Sequence, residues 1–451
     1  MSIKFKPLWV VYAGLLASPA ALAVDLVGVH DLALKSDPRL QAAEYRRQAT
    51  AENKTQAWAN MLPQLGAGAS WNKGSTSTSF GAPELDDVDQ NNETRNYEVS
   101  LQQSLYRQAN YEQLDVARGQ ITQADAIYQI AFQDFLLRVS EGYFLVLTLM
   151  DGVTFAEAEE KALQRQFEQA EQRFEVGLTA VTDVHEARAS YDNARARAIV
   201  ARNDLEDAKE ALKELTGRYF EEYDALQEVL PLVEPDPMNA EEWVQMALSN
   251  NPVVLSSRAA VDIADSNMRF ARSGHYPTLD LLATYNDFQD NKRLFTDNVG
   301  QPIGTTTLGV DDTNIRLIFN VPIYQGGRVS SQTRQARLLM DATGQDLDDI
   351  QRAAVREAQN SFRAVLAGIQ EVQAFDQAEI SAESALLATQ AGFEVGTRTI
   401  VDVLIAEQRR FQAQRDNSVA RHAYIVRHLR LKSVAGLLSS EDLKVVNQLL
   451  E

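Results

Sequence analysis

The sequence predicts an internally duplicated α+β chain in which each half supplies two β-strands and one long helical hairpin. Three observations carry this prediction. The segment Phe174-Glu175-Val176-Gly177-Leu178-Thr179-Ala180-Val181-Thr182-Asp183 returns as Phe393-Glu394-Val395-Gly396-Thr397-Arg398-Thr399-Ile400-Val401-Asp402, at a constant offset. Four stretches alternate apolar and polar residues with period two, the pattern of strands. Behind the first tip segment, apolar residues recur every seven positions, the signature of coiled-coil packing.

The chain opens with Lys4 and Lys6, an apolar run from Leu8 to Ala17, and Ser18-Pro19-Ala20-Ala21-Leu22-Ala23. A positive start, a short apolar run and an Ala-x-Ala ending predict a secretory signal peptide, residues 1–23, cut after Ala23. The run is too short for a membrane anchor, and no cysteine follows it to carry a lipid. No later segment approaches the ~20 continuous apolar residues of a membrane-spanning helix.

The first repeat, 24–217, begins with a helical pattern from Val29 to about Met61. Its Ala33-Leu34-Lys35-Ser36-Asp37-Pro38 is echoed by Ala247-Leu248-Ser249-Asn250-Asn251-Pro252 in the second repeat, 240–437. After Pro63 the period changes to two: Leu65, Ala67, Ala69 and Trp71 alternate with Gly66, Gly68 and Ser70. A returning strand sets Tyr97, Val99 and Leu101 against Glu98, Ser100 and Gln102. The second half has a strand over residues 279–288. It also has Ile315, Leu317, Phe319, Val321 and Ile323 opposite Arg316, Ile318, Asn320 and Pro322. Such strands suit a transmembrane barrel or a half-buried soluble sheet equally. Between the paired strands, residues 72–96 and 289–313 are polar and read as long loops.

From about Gln108 to Glu175 no proline occurs, which predicts a helix of roughly 100 Å at ~1.5 Å per residue. Residues 328–394 repeat it after the break Tyr324-Gln325-Gly326-Gly327. The returning helix has Val184, Tyr191, Ala198, Leu205 and Leu212 on one seam, and Ala187, Ala194, Ala201, Ala208 and Leu215 on the other. Ala406, Ala413 and Ala420 keep the same phase in the second half. Residues 218–239, with Pro231, Pro235 and Pro237, read as a connector, and 438–451 as a C-terminal helix laid on the outside.

Composition excludes several functions. The absence of cysteine removes disulfides and thiolate chemistry. A formal charge of −20 argues against nucleic acid as a partner. The five histidines (His30, His185, His275, His422, His428) are scattered, and His185-Glu186 lacks the second histidine of a zinc-protease helix. Gly326-Gly327 precedes no Lys-Ser/Thr, so there is no phosphate loop. No catalytic residue, cofactor or metal site is predicted. Four strands cannot close a barrel, so a membrane barrel requires several copies of the chain.

The tips at Gly177 and Gly396, the element Leu62-Pro63-Gln64-Leu65, and Val321-Pro322-Ile323-Tyr324-Gln325-Gly326-Gly327 together resemble the TolC family of outer-membrane efflux channels. The likeness covers essentially the whole mature chain, and the missing lipid-anchor cysteine aligns it with the non-lipidated members. The resemblance implies a homotrimer with a twelve-stranded β-barrel in the outer-membrane lipid, continued by a helical tunnel in the periplasm. It also implies an exit duct for efflux or type I secretion. The implied partners are a periplasmic adaptor protein and an inner-membrane RND or ABC transporter. By the same resemblance Asp402 faces the pore constriction, and three such carboxylates around one axis would raise one another's pKa. A second acidic ring of the family falls on Ile405. Arg398 matches a gate latch whose partners fall on Gln166 and Asp183, while a tethering tyrosine falls on Phe393. Gly177, Leu178, Thr179, Gly396 and Thr397 form the tips where an adaptor would dock. The competing reading is a secreted coiled-coil scaffold without a pore.

Overall fold

The period-two segments form one antiparallel sheet in the order β1 (Gln64–Thr78), β2 (Val88–Arg107), β3 (Thr278–Thr296), β4 (Pro302–Asn320). The computed structural model describes residues 23–78, 88–296 and 302–451. The signal peptide predicted over 1–23 lies, but for Ala23, outside the described residues.

Register places the alternating residues on shared faces, because directly opposed residues of an antiparallel pair point the same way. Leu65 pairs with Leu101, Ala67 with Val99 and Ala69 with Tyr97. On the other side of β2, Val99 faces Tyr285 and Leu101 faces Ala283. Ala283 in turn faces Ile315, Leu281 faces Leu317, and Leu279 faces Phe319. One apolar face therefore runs across all four strands, ending in Trp71, Tyr97 and Tyr285. It is exposed: Leu65 by 74%, Ile315 by 73% and Phe319 by 66%. Glu98, Ser100, Gln102, Thr284, Asn314 and Arg316 share the opposite face, which Leu282, Phe288 and Ile318 interrupt. From Leu65 to Trp71 the apolar band is about 20 Å long at ~3.3 Å per residue.

The long polar loops expected at 72–96 and 289–313 are mostly strand. Asn72 pairs with Thr94 and Lys73 with Glu93, and pairing continues to Thr78 and Val88. β3 and β4 likewise pair out to Thr296 and Pro302. Backbone pairing does not require apolar side chains, so the hairpins continue beyond the point where hydropathy ceases to alternate.

The helices are α1 (Leu26–Ser36), α2 (Pro38–Ala59), α3 (Gln108–Glu175), α4 (Val181–Thr216), α5 (Ala240–Asn250), α6 (Pro252–Ser273), α7 (Arg328–Glu394), α8 (Ile400–Val434) and α9 (Ser440–Asn447). The chain divides into two units. One comprises Gln41–Ala131 and Leu248–Val355; the other comprises Phe132–Ala247, Arg356–Glu451 and the described part of Met1–Leu40.

In the first unit the sheet is accompanied by α2, α6 and the adjoining parts of α3 and α7. Asn53 donates to Gln120 at 2.9 Å, and Arg269 pairs with Glu112 at 3.0 Å. Gly119 allows α6 to come close: a Cβ there would stand 2.7 Å from Ile263.

The second unit holds the main apolar core, with Phe135, Leu136, Val139, Tyr143, Phe144 and Val146 of α3 all buried. These residues lie on α3, the one described helix with an 18-residue window long and apolar enough to cross a membrane. Here they serve as core instead. Of the seam predicted on α4, Ala187, Ala194, Ala198, Ala208 and Leu212 are buried, and Val184, Tyr191, Ala201, Leu205 and Leu215 are half-buried. The connector is pinned rather than loose. Tyr143 hydroxyl lies 2.9 Å from the carbonyl of Asp224 and 3.1 Å from that of Val24, and Val233 exchanges two 2.8 Å hydrogen bonds with Tyr424. At the Asp37-Pro38 motif, Asp37 is buried and pairs with Arg138 at 2.7 Å, fixing the α1–α2 turn to α3. The C-terminal helix does more than lie outside. Asn447 of α9 accepts from Val27 N–H at 3.1 Å and donates to Asp25 at 2.9 Å, tying the start of the described chain to its end.

Candidate functional site

Both hairpin tips are built the same way. At the first, Gly177 N–H donates to Phe174 C=O at 2.9 Å and Leu178 N–H to Arg173 C=O at 2.8 Å. At the second, Gly396 N–H donates to Phe393 C=O at 3.1 Å and Thr397 N–H to Gly392 C=O at 2.8 Å. This closure needs a left-handed residue at the helix end, and Gly177 (φ +75°) and Gly396 (φ +79°) provide it without a Cβ penalty. Leu178, Gly396 and Thr397 are exposed and Thr179 is half-buried.

The tips differ in how the next helix starts. Thr399 caps α8: its Oγ1 accepts from Asp402 N–H at 3.2 Å, while Asp402 Oδ2 accepts from Thr399 N–H and hydroxyl, each at 2.9 Å. The matching position before α4 is Ala180, which makes no side-chain cap, and Asp183 instead accepts from Thr179 hydroxyl. Within one chain the hydrogen bonds from Thr399 backbone and then hydroxyl, helped by the field of Arg398, hold the Asp402 carboxyl below the usual range. That is opposite to the rise expected from three carboxylates crowding one axis. Thr399→Ala should raise amide exchange in the first turn of α8 by roughly fivefold, the usual effect of losing an N-cap, as read by hydrogen–deuterium exchange.

The latch residues are not brought together within one chain. Arg398 lies with its stem over Gly392, where a Cβ would sit 2.8 Å from Arg398 Cγ. Among the described residues its guanidinium takes no hydrogen bond or ion pair. Gln166 is half-buried on α3 and Asp183 is engaged by Thr179. Ile405, one turn beyond Asp402, is 43% exposed. Behind the tips, Leu163, Ala170, Ala187, Ala194, Ile400 and Leu404 form a cluster of buried residues, with Phe167, Val184, Tyr191, Phe393 and Val401 packed against it. The cluster joins the ends of both hairpins of the chain.

Further along, the α3–α8 seam is polar, which hydropathy patterning does not reveal. Glu159 is 1% exposed and pairs with Arg197 of α4 at 2.6 Å and Arg415 of α8 at 3.4 Å. Ser418 donates to Asp151 at 2.5 Å, and Thr148 lies 3.0 Å from His422 Nδ1. Burial is the main reason His422 is held down to about 4, with Asp151 opposing and Arg421 assisting. It is therefore neutral at physiological pH.

Glu407 on α8 is 6% exposed and has no hydrogen-bond partner among the described residues. Burial pushes its carboxyl above the ordinary 4.5; Arg410 and Arg165 pull it back, and Glu159 and Glu383 add to the rise. The folded state thus binds this proton more tightly than the unfolded chain does. The resulting stability is full below pH 4.5 and is lost as pH rises through the folded value. Glu407→Gln, which cannot ionise, should melt above the parent at neutral pH and converge with it in acid, as followed by melting temperature against pH. No group of three or more metal-ligating side chains occurs among the described residues.

Comparison with known proteins gives these tips their setting. The profile of the outer membrane efflux protein family matches residues 29–218 and again 243–437. The chain is 35% identical over 444 residues to "Outer membrane protein TolC" of Vibrio cholerae, covering 98% of each. It is 29% identical over 451 residues to "Alkaline protease secretion protein AprF" of Pseudomonas aeruginosa, covering 96% of this chain and 88% of that one. Its fold matches the crystal structure of the Campylobacter jejuni CmeC outer membrane channel with a TM-score of 0.76 at 17% identity, over 94% of this chain and 90% of that one. With both halves of the chain matched by one family profile, and near-complete coverage of a relative more than 30% identical, this chain belongs to the outer membrane efflux protein family.

Proposed function

We propose that this protein is an outer-membrane exit channel for efflux and type I secretion, whose periplasmic entrance is closed by its hairpin tips. The observation that carries the reading is the continuous, exposed apolar face of the sheet, bounded by Trp71, Tyr97 and Tyr285. An apolar band with an aromatic edge is what a lipid-facing barrel wall requires. The relatives are channel proteins, and a pore-less scaffold finds no support among them.

The sheet leaves β1 and β4 each paired on one side only. Unpaired backbone groups in lipid cost several kcal/mol each, so β4 of one copy must meet β1 of the next. A homotrimer with a twelve-stranded barrel satisfies this demand. The chain is organised as a signal peptide (1–23), two repeats (24–217 and 240–437), a connector (218–239) and a C-terminal helix (438–451). Asp402 and Ile405 form the constriction. Arg398, without a hydrogen bond or ion pair among the described residues of its own chain, reaches Gln166 and Asp183 of an adjacent copy and latches the entrance. Gly177, Leu178, Thr179, Gly396 and Thr397 meet the periplasmic adaptor, behind which stands an RND or ABC transporter.

Imaging of purified particles in lipid or detergent tests the reading. Three copies around an axial lumen are expected; a solid bundle without a lumen would overturn it.

A further inference from the structure

We propose that Arg173 and Phe393 form a charge–aromatic clasp that holds the two hairpin ends of one chain together, independently of any contact between copies. The Arg173 guanidinium carbon lies 4.8 Å from the centroid of the Phe393 ring. Arg173 sits in the last turn of α3 and Phe393 in the last turn of α7, so the contact bridges the first hairpin to the second. Among the described residues the Arg173 guanidinium makes no ion pair or hydrogen bond, which leaves the ring as its partner. Phe393 also packs against the cluster that includes Leu163, Ala170 and Ile400. The ring is thus held by apolar neighbours and covered by a cation, an arrangement whose strength depends on the π-face alone.

The repeat itself shows that this is not a generic feature of the tips. Phe174 is the counterpart of Phe393 and is 44% exposed. Gly392, the counterpart of Arg173, carries no side chain to cover it. The bare glycine is where the stem of Arg398 lies. One arginine therefore faces inward across the chain while the other remains available to an adjacent copy. The clasp biases each chain's four tip helices toward one joined arrangement.

The absence of cysteine makes the test clean, since labels attach only where cysteines are introduced. Spin labels at E175C and E394C, in full-length protein diluted with excess unlabelled chains, report the tip-to-tip distance within one chain. In Arg173→Gln and in Phe393→Leu, the ratio of the short to the long distance should fall by roughly two- to fivefold, the effect of losing an exposed cation–π contact. The double variant should fall no further than either single one, and Phe393→Tyr, which keeps the ring, should retain the parent distribution. An unchanged distribution in Arg173→Gln, or effects of the two single variants that add, would overturn the clasp. Bilayer conductance of Arg398→Ala in the same preparation separates the two claims. If conductance rises while the labels ignore Arg173→Gln, the clasp fails and the gate stands; if the labels respond while conductance does not, the gate fails and the clasp stands.

Discussion

Removing both arginines around Glu159, as Arg197→Met with Arg415→Met, is expected to destabilise the protein by about 3–5 kcal/mol, the usual cost of leaving a buried charge without its partner. The asymmetry of the site drives this expectation. Glu159 is 1% exposed, whereas Arg197 and Arg415 are 41% and 31% exposed and can turn to water when left alone. Glu159→Gln should therefore cost far less, about 1 kcal/mol for the hydrogen bonds weakened. Adding Glu159→Gln to the double variant should restore most of what was lost, because the charge that had no partner is gone. Thermal melting of the solubilised protein at neutral pH ranks the three variants. A triple variant no more stable than the double would show that the damage lies in lost arginine packing and not in the buried carboxylate.

The largest functional effect is expected at the tips. Arg398→Ala should raise the conductance of the channel in planar bilayers, since among the described residues its guanidinium has no hydrogen-bond or ion-pair partner and the proposed latch lies between copies. Asp402→Asn should leave conductance closer to the parent but weaken cation selectivity, because the carboxylate is held ionised by Thr399. In the proposed trimer, a ring of three such carboxylates would act on ions in the pore, whereas the proposed latch would act on the helices around it. If neither variant changes its readout, the assignment of Arg398 and Asp402 to the gate is wrong.

The two kinds of residue at the site were unequally legible. Gly177 and Gly396 announce themselves, since a glycine between two long helical runs, flanked identically in both halves, has one local use: ending a helix in the left-handed region. The alanine seam of α4 is equally plain, because heptad spacing is a property of the chain itself. Glu159, Glu407, Ser418 and His422 give no such signal. Acids and arginines are spread along every long helix of this −20 chain, and nothing in their spacing marks which carboxylate faces a neighbouring helix and which faces water. The strand ends were misjudged for a related reason: hydropathy reports where lipid or core is met, whereas Asn72–Thr94 and Lys73–Glu93 pair through backbone groups common to all residues.

The sequence by itself determined the duplication, the alternation that builds one apolar sheet face, the coiled-coil seam and the glycine tips. Each is written in local periodicity or in the backbone freedom of one residue. Only the tertiary structure decided that Glu159 is clamped from two hairpins, that Thr399 is the residue hydrogen-bonded to Asp402, and that the α9 helix secures the start of the described chain. These contacts join residues far apart in the chain or choose between neighbouring donors. Their energies depend on burial and distance, which arise only once the helices have packed.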